Sequence, residues 1–377
     1  MEIKHEFISA DDHVIEHPEV WTSRMSKTKW GERIPHLQRQ NNGSDYWIVG
    51  DDRFPLAELA AGANGSHDGV PLQPKQWGDV PRTTYSARDR LNALDAAGVD
   101  YSILYPVTAG VGGQIFGKLN DPELELACVQ AYNDWLIEEW AQVSPRFVPQ
   151  CIVPIWPPEK AAAEVRRAGA RGHRGVIFPS SPMELRDVPH INEDVYDPLW
   201  AACEEVGVPL CFHSGASPKI QMRPTEKFSP VLAAAFQDTV RSVSSIAVFA
   251  NFLFSRILYR FPKLKVVFAE SSLGWAAYEI EYADYQSDAD GLQNEGYDLK
   301  PSELFQRQCY FTCSYDRMSL KVRSYVGAAN ILWSSHFPMP TSTWPNTREH
   351  IETAFTDIPE QEKRQILWEN AAKLYRL

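Results

Sequence analysis

No C-x-x-C pair occurs in this chain, no block of Lys and Arg, and no unbroken apolar run long enough to cross a bilayer. Each absence excludes something. The six cysteines, at 128, 151, 203, 211, 309 and 313, have neither zinc-knuckle nor dithiol spacing. Three of them, Cys151, Cys211 and Cys309, sit in apolar runs where a thiol behaves as a small hydrophobe. A reducing, cytoplasmic setting without disulfides is expected, and no signal-peptide pattern opens the sequence. Lacking a basic cluster, and with a formal net charge of −12, the chain has no electrostatic footprint for nucleic acid or an anionic membrane surface. Its most apolar stretch, 231–254, is interrupted by Gln237, Asp238, Arg241 and Asn251 and reads as a helix of a soluble protein.

What is present is a large apolar share, 44% of 377 residues, enough for a sizeable core without a stabilising metal or disulfide. Short apolar runs at 7–13, 100–106, 147–154, 175–179, 209–213, 264–270, 308–313 and 331–336 alternate with segments of helical pattern. The helices are expected at 86–97, 122–143, 159–171, 197–206, 230–261, 275–287 and 317–326. Strands that are apolar on both faces and separated by helices point to a parallel sheet with helices outside it. Eight of them favour a closed α/β barrel of the (β/α)8 (TIM) type, one domain spanning 1–377. Residues 18–84, rich in Pro, Gly, Asn and Trp, form a long insertion after the first strand, with a hairpin at 46–49 and 53–56. Such an insertion is expected to act as a lid or a subunit interface, and a homodimer is expected through it.

In barrels of this kind chemistry collects at the C-terminal ends of the strands. The first strand ends on Asp11-Asp12-His13, and alternation puts Asp11 and His13 on one face and Asp12 on the other. The fifth ends on His213, the sixth on Glu270 and the eighth on His336. Oxygen and nitrogen donors in that mixture suit zinc, iron or manganese. Glu16, one short turn beyond His13, is a candidate bridging carboxylate for a second ion, or a loop hydrogen-bond acceptor; Asp12 is a second candidate bridge. Asp316 is either a proton carrier or the N-cap of the helix that begins at Arg317. His173 is expected to satisfy a helix end, Gly110-Val111-Gly112-Gly113 to permit close backbone approach, and Trp156, Phe178, Trp275 and Trp333 to wall an apolar pocket.

Taken in order, Ser9-Ala10-Asp11-Asp12-His13-Val14-Ile15-Glu16, Phe212-His213-Ser214-Gly215, 261–271 with Gly274-Trp275, and Thr341-Ser342-Thr343-Trp344-Pro345 resemble the amidohydrolase-related family. This is the branch of the metal-dependent amidohydrolases that includes aminocarboxymuconate semialdehyde decarboxylase. The resemblance implies a distorted (β/α)8 barrel with one or two metal ions in its mouth. It also implies that Asp11, His13 and His213 are ligands, with Glu270 where relatives have a His or Glu at the metal. Relatives usually carry W-G-S-D-Y-P-H at the eighth strand, its Asp touching the metal and handling the proton of the metal-bound water. Here the run is Trp333-Ser334-Ser335-His336-Phe337-Pro338-Met339, so an imidazole replaces that carboxylate. Without that base, the expected activity is that of a dinuclear non-heme iron monooxygenase hydroxylating a small or medium apolar carboxylated substrate, a class found on a few barrels of this superfamily. The alternatives are a zinc- or manganese-dependent hydrolase or decarboxylase, and a non-catalytic partner subunit.

Overall fold

The computed structural model describes residues 2–60, 72–216, 227–314 and 316–377. Strands such as Tyr101–Tyr105 and Val266–Ala269 form where Val, Ile, Leu, Tyr and Phe dominate and both faces are covered. The strands are β1 (Ile8–His13), β5 (Tyr101–Tyr105), β6 (Phe147–Ile152), β7 (Gly175–Ile177), β8 (Leu210–His213), β9 (Val266–Ala269), β10 (Cys309–Cys313) and β11 (Ile331–Trp333). They form one parallel sheet in the order β1-β5-β6-β7-β8-β9-β10-β11. The ends of that sheet are drawn together at the mouth. The His13 amide donates to Phe337 O at 2.7 Å and the His336 amide to Asp11 O at 3.0 Å. The result is the nearly closed α/β barrel.

Local signals set the helix ends. Ser86 Oγ accepts from the Asp89 amide to start the helix Ala87–Ala97, which stops at Gly98 with φ +73°. Asp121 caps Pro122–Leu136, and Gly172 and Gly207, both at positive φ, end Pro158–Arg171 and Asp197–Val206. The stretch expected to be one helix at 230–261 is three, Pro230–Val240, Val243–Phe254 and Ile257–Arg260. The last strand is shorter than its apolar pattern, ending at Trp333, because Ser334, Ser335 and His336 turn into the mouth.

The insertion is more ordered than expected. β2 (His36–Arg39), β3 (Asp45–Val49) and β4 (Asp52–Pro55) form an antiparallel sheet, the β3–β4 hairpin lying where the pattern put it. Residues 61–71 of that insertion lie outside the described residues. All six cysteines are buried and unpaired, and no helix among the described residues is long and apolar enough to cross a membrane.

Candidate metal centre

β1 carries the first donors, and a register irregularity aims them. Ser9 pairs with Ser102 and Asp12 with Leu104, so one extra residue on β1 bulges out of the ladder. Asp11 and His13 both turn into the barrel, with Asp11 Oδ1 3.4 Å from His13 Nε2 and 3.3 Å from His213 Nε2. His336 completes the group. One ligand atom from each of Asp11, His13, His213 and His336 lies within 4.8 Å of the other three, and all four residues are buried.

Each imidazole is held from behind by its other nitrogen. His13 Nδ1 lies 3.4 Å from Pro106 O, His213 Nδ1 is 2.7 Å from Ser214 O, and His336 Nδ1 is 2.7 Å from Thr341 Oγ1. An Nδ1–H donated to a carbonyl fixes the tautomer that leaves Nε2 bare for a cation. Burial, with the neighbouring imidazoles alongside, pushes the His13 ring well below its ordinary pKa in spite of Asp11, so His13 is neutral. Burial works against charge on Asp11 as well, yet His213, His13 and His336 outweigh it and hold that carboxyl below the usual range. On His213 the balance tips the other way: burial opposes the proton, but Asp11 and Glu270 raise the pKa.

Two atoms of this group, Asp11 Oδ2 and His13 Nε2, are buried without any hydrogen-bond partner among the described residues. Orphaned lone pairs of that kind are costly unless something occupies the space between them. One carboxylate and three imidazoles converging on one point fit a divalent transition ion.

Not every expected residue joins them. Glu16 is buried on the far side of the β1 terminus, where its two oxygens accept from the amides of Val107, Thr108 and Ala109 at 2.7 to 3.3 Å. Saturated by backbone donors, it is a clamp on the loop after β5, which corrects its assignment as a metal bridge. Asp12 faces away as alternation requires and likewise bridges nothing. Its carboxylate accepts from Ser9 Oγ at 2.7 Å, Ser102 Oγ at 2.5 Å, Ser335 Oγ at 2.5 Å and the Phe337 amide at 3.1 Å. Only one group of converging donors occurs among the described residues, so the expected second ion has no separate ligand set there.

Glu270 stands beside the four rather than among them. Its Oε1 is 3.3 Å from His336 Nε2, while its Oε2 is 3.6 Å from His213 Nδ1 and 3.3 Å from Arg241. Asp316 occupies the N-cap position but makes no capping bond; its carboxylate accepts from the Ser314 amide and Ser272 Oγ and faces the same cavity. Glu270 and His336 both adopt left-handed backbone, at φ +49° and +58°. For residues other than glycine that conformation costs roughly 1 to 2 kcal/mol, and it is characteristic of functional sites.

The cavity in front of these residues measures about 350 Å³. Its described walls are Asp11, Glu270, Asp316 and Asp238, hydroxyls including Thr312 and Ser272, and a single cation, Arg241. The aromatic wall expected from Trp156, Phe178, Trp275 and Trp333 is not there. Phe178 and Trp333 are buried in the core, and Trp275 donates its indole N–H to Ser271 O at 2.7 Å. Gly112 does serve close approach, since a Cβ on it would lie 2.5 Å from that of Ala216.

Sequence reasoning missed Arg90 and Arg241. Arg90 is fully buried, donates to His13 O at 2.8 Å and lies over the Phe337 ring at 4.4 Å, so it grips both strands that close the barrel. Burial, against the pull of Asp12, lowers its pKa to about 9. An arginine in an amphipathic helix carries no signal that it points inward. Arg241 lay in an apolar stretch, and there the charge itself was a signal.

Residues 36–377 match the family described as amidohydrolase. The chain belongs to the amidohydrolase family. A gamma-resorcylate decarboxylase from Polaromonas sp. (strain JS666) is 22% identical over 325 residues, covering 80% of this amidohydrolase and 91% of the relative. Among solved structures, an amidohydrolase from Mycobacterium avium subsp. paratuberculosis K-10 superposes with a TM-score of 0.75 at 21% identity, over 99% of this chain and 100% of that one. A 5-carboxyvanillate decarboxylase from Novosphingobium aromaticivorans, complexed with manganese and 4-hydroxy-3-methoxy-5-nitrobenzoic acid, gives 0.66 at 18% identity over 98% and 96%. At these identities the structural likeness carries the fold alone.

Proposed function

We propose that this amidohydrolase is a divalent-metal-dependent carboxy-lyase that removes CO2 from an aromatic acid bearing a hydroxyl group. The observation that carries the reading is the set of residues lining the cavity: hydroxyls, carboxylates and one arginine surround the converging donors and offer several partners to a substrate that bears several oxygens. The names of the decarboxylase relatives point the same way. Manganese is the first candidate metal, zinc the second.

Asp11, His13, His213 and His336 would hold the ion, which supplies positive charge to neutralise the substrate's carboxylate and hydroxyl oxygen. Arg241, at the cavity wall beside Glu270, takes a further anionic oxygen of the substrate. When the bond to CO2 breaks, its electron pair stays on the ring carbon, which then needs a proton. Glu270 and Asp316 are the carboxyls on the cavity wall that can carry it.

A second reading rests on the third imidazole. A nitrogen-rich set in which His336 replaces the relatives' carboxylate also suits iron and dioxygen chemistry. One experiment separates the two. Protein purified without added metal is analysed for metal content, loaded with manganese, and incubated with 5-carboxyvanillate and 2,6-dihydroxybenzoate under air and under argon. CO2 release at equal rates in both supports the lyase; oxygen-dependent consumption with a hydroxylated product, or no CO2 from any hydroxybenzoate tried, refutes it.

A further inference from the structure

The segment that brings Arg241 to the cavity has little to rest on until it reaches a serine. From 227 to 244 none of the described side chains is buried, and Leu232 is 51% exposed. Ser245, on the first turn of the helix Val243–Phe254, is the first that is buried. Between it and Arg241 lies one tight turn. Both the amide and the hydroxyl of Ser244 donate to Arg241 O, at 3.3 and 2.8 Å, and the Ser245 amide donates to Ser242 O at 3.0 Å. What fixes Ser245 therefore fixes the backbone that carries the guanidinium.

Two other hydroxyls fix Ser245. Ser271 Oγ donates to Ser245 Oγ at 2.8 Å, Ser214 Oγ lies 2.9 Å from Ser245 Oγ, and Ser214 and Ser271 are 3.4 Å apart. All three side chains are buried. Closed into a ring, each hydroxyl can donate once and accept once, which is what burial of a hydroxyl requires. The ring joins three parts of the site. Ser214 follows His213 and takes its Nδ1–H on the backbone carbonyl, Ser271 follows Glu270, and Ser245 stands four positions after Arg241. Apolar side chains here would fill the space and let the helix slide, whereas hydrogen bonds of this length set its height and rotation. The guanidinium comes to rest 3.3 Å from Glu270 and beside Gly215, where a Cβ would lie 4.0 Å from Arg241 Nη1.

We propose that Ser245 is a positioning residue for substrate binding. Through the Ser214–Ser245–Ser271 ring it holds Arg241 at the height where the guanidinium meets a second anionic group of the substrate, and so selects dianionic aromatic acids over monoanionic ones. The inference rests on the reading of Arg241 as the partner of a substrate oxygen and extends it to what fastens the arginine.

The test is calorimetric binding to manganese-loaded protein, with isophthalate as the dianionic probe and benzoate as the monoanionic one, so that no turnover is needed. Wild-type protein should hold isophthalate the more tightly. Ser245→Ala should raise the Kd for isophthalate about tenfold, the loss of most of one charge-assisted hydrogen bond, and leave that for benzoate within about twofold. Ser271→Ala, which opens the ring from the other side, should do the same. In an Arg241→Met background Ser245→Ala should have no further effect, since no guanidinium is left to misplace. A merely structural role would weaken both probes and would persist without the arginine. Ser245→Ala protein that binds isophthalate like wild type, loses benzoate equally, or weakens binding as much with Arg241 absent overturns the positioning role and leaves Arg241 as a substrate ligand. Arg241→Met protein that keeps wild-type affinity for isophthalate, or wild-type protein that prefers neither probe, overturns both. The carboxy-lyase reading stands or falls separately, on CO2 release.

Discussion

Replacing Asp12 by Ala isolates the device that closes the barrel. The carboxylate collects three hydroxyls and one amide, from Ser9 and β5 on one side and from Ser335 and Phe337 on the other. It also lies in the field of Arg90, which holds the His13 carbonyl and the Phe337 ring. Removing it leaves four buried donors short of an acceptor, at about 1 kcal/mol each once the hydroxyls have rotated, or roughly 4 kcal/mol. The buried Arg90 loses its counter-charge in addition. At about 1.3 °C per kcal/mol for a chain of 377 residues, thermal unfolding should come about 5 °C earlier. Asp12→Asn keeps one acceptor and the shape, and should fall between. Scanning calorimetry on metal-free protein reads this without interference from the ion. A shift below about 2 °C for Asp12→Ala would mean that the hydroxyls find other partners and the closure does not depend on this carboxylate.

Three further outcomes are expected. Metal at about 100 times its Kd should add about 2.7 kcal/mol to folding stability, so a chelator lowers the melting temperature of wild-type protein, whereas His213→Ala should show no metal-dependent shift. Burial holds the His173 imidazole, which meets Asn133 O at 3.0 Å in the last turn of its helix, at a pKa of about 4. The unfolded chain therefore binds more protons in that window, and stability present above pH 6.5 is lost as pH falls towards 4, by roughly 3 kcal/mol in total; urea melts of wild type and His173→Gln should diverge only over that window. Arg241→Met should raise KM for a dicarboxylated substrate about tenfold with little change in kcat, and an unaltered KM would remove Arg241 from substrate binding.

The barrel and the main donors were legible because their signals are local. Most of the strands are apolar on both faces, and β1, β8 and β11 stop on or just before a ligand-type residue. The fate of Glu16 was not legible, since only the fold shows that the loop after β5 presents three consecutive amides to it. The aromatic wall failed for a related reason: Trp and Phe near a strand end read the same whether they face a pocket or pack beneath it. Asp316 had two local readings, and the serine that claims its carboxylate lies 44 positions away in sequence.

The positive φ of His336 bears on how the eighth-strand run departs from the motif it resembles. Short polar side chains that can bond to nearby backbone enter that conformation several times more readily than β-branched or bulky ones, with His, Asn and Asp foremost. The backbone at the end of β11 thus acts as a filter, admitting few residue types besides the aspartate of the family motif and the histidine found here. Exchange between carboxylate and imidazole needs no rebuilding of the chain around it, so the donor character of the site can change here while its backbone stays as it is.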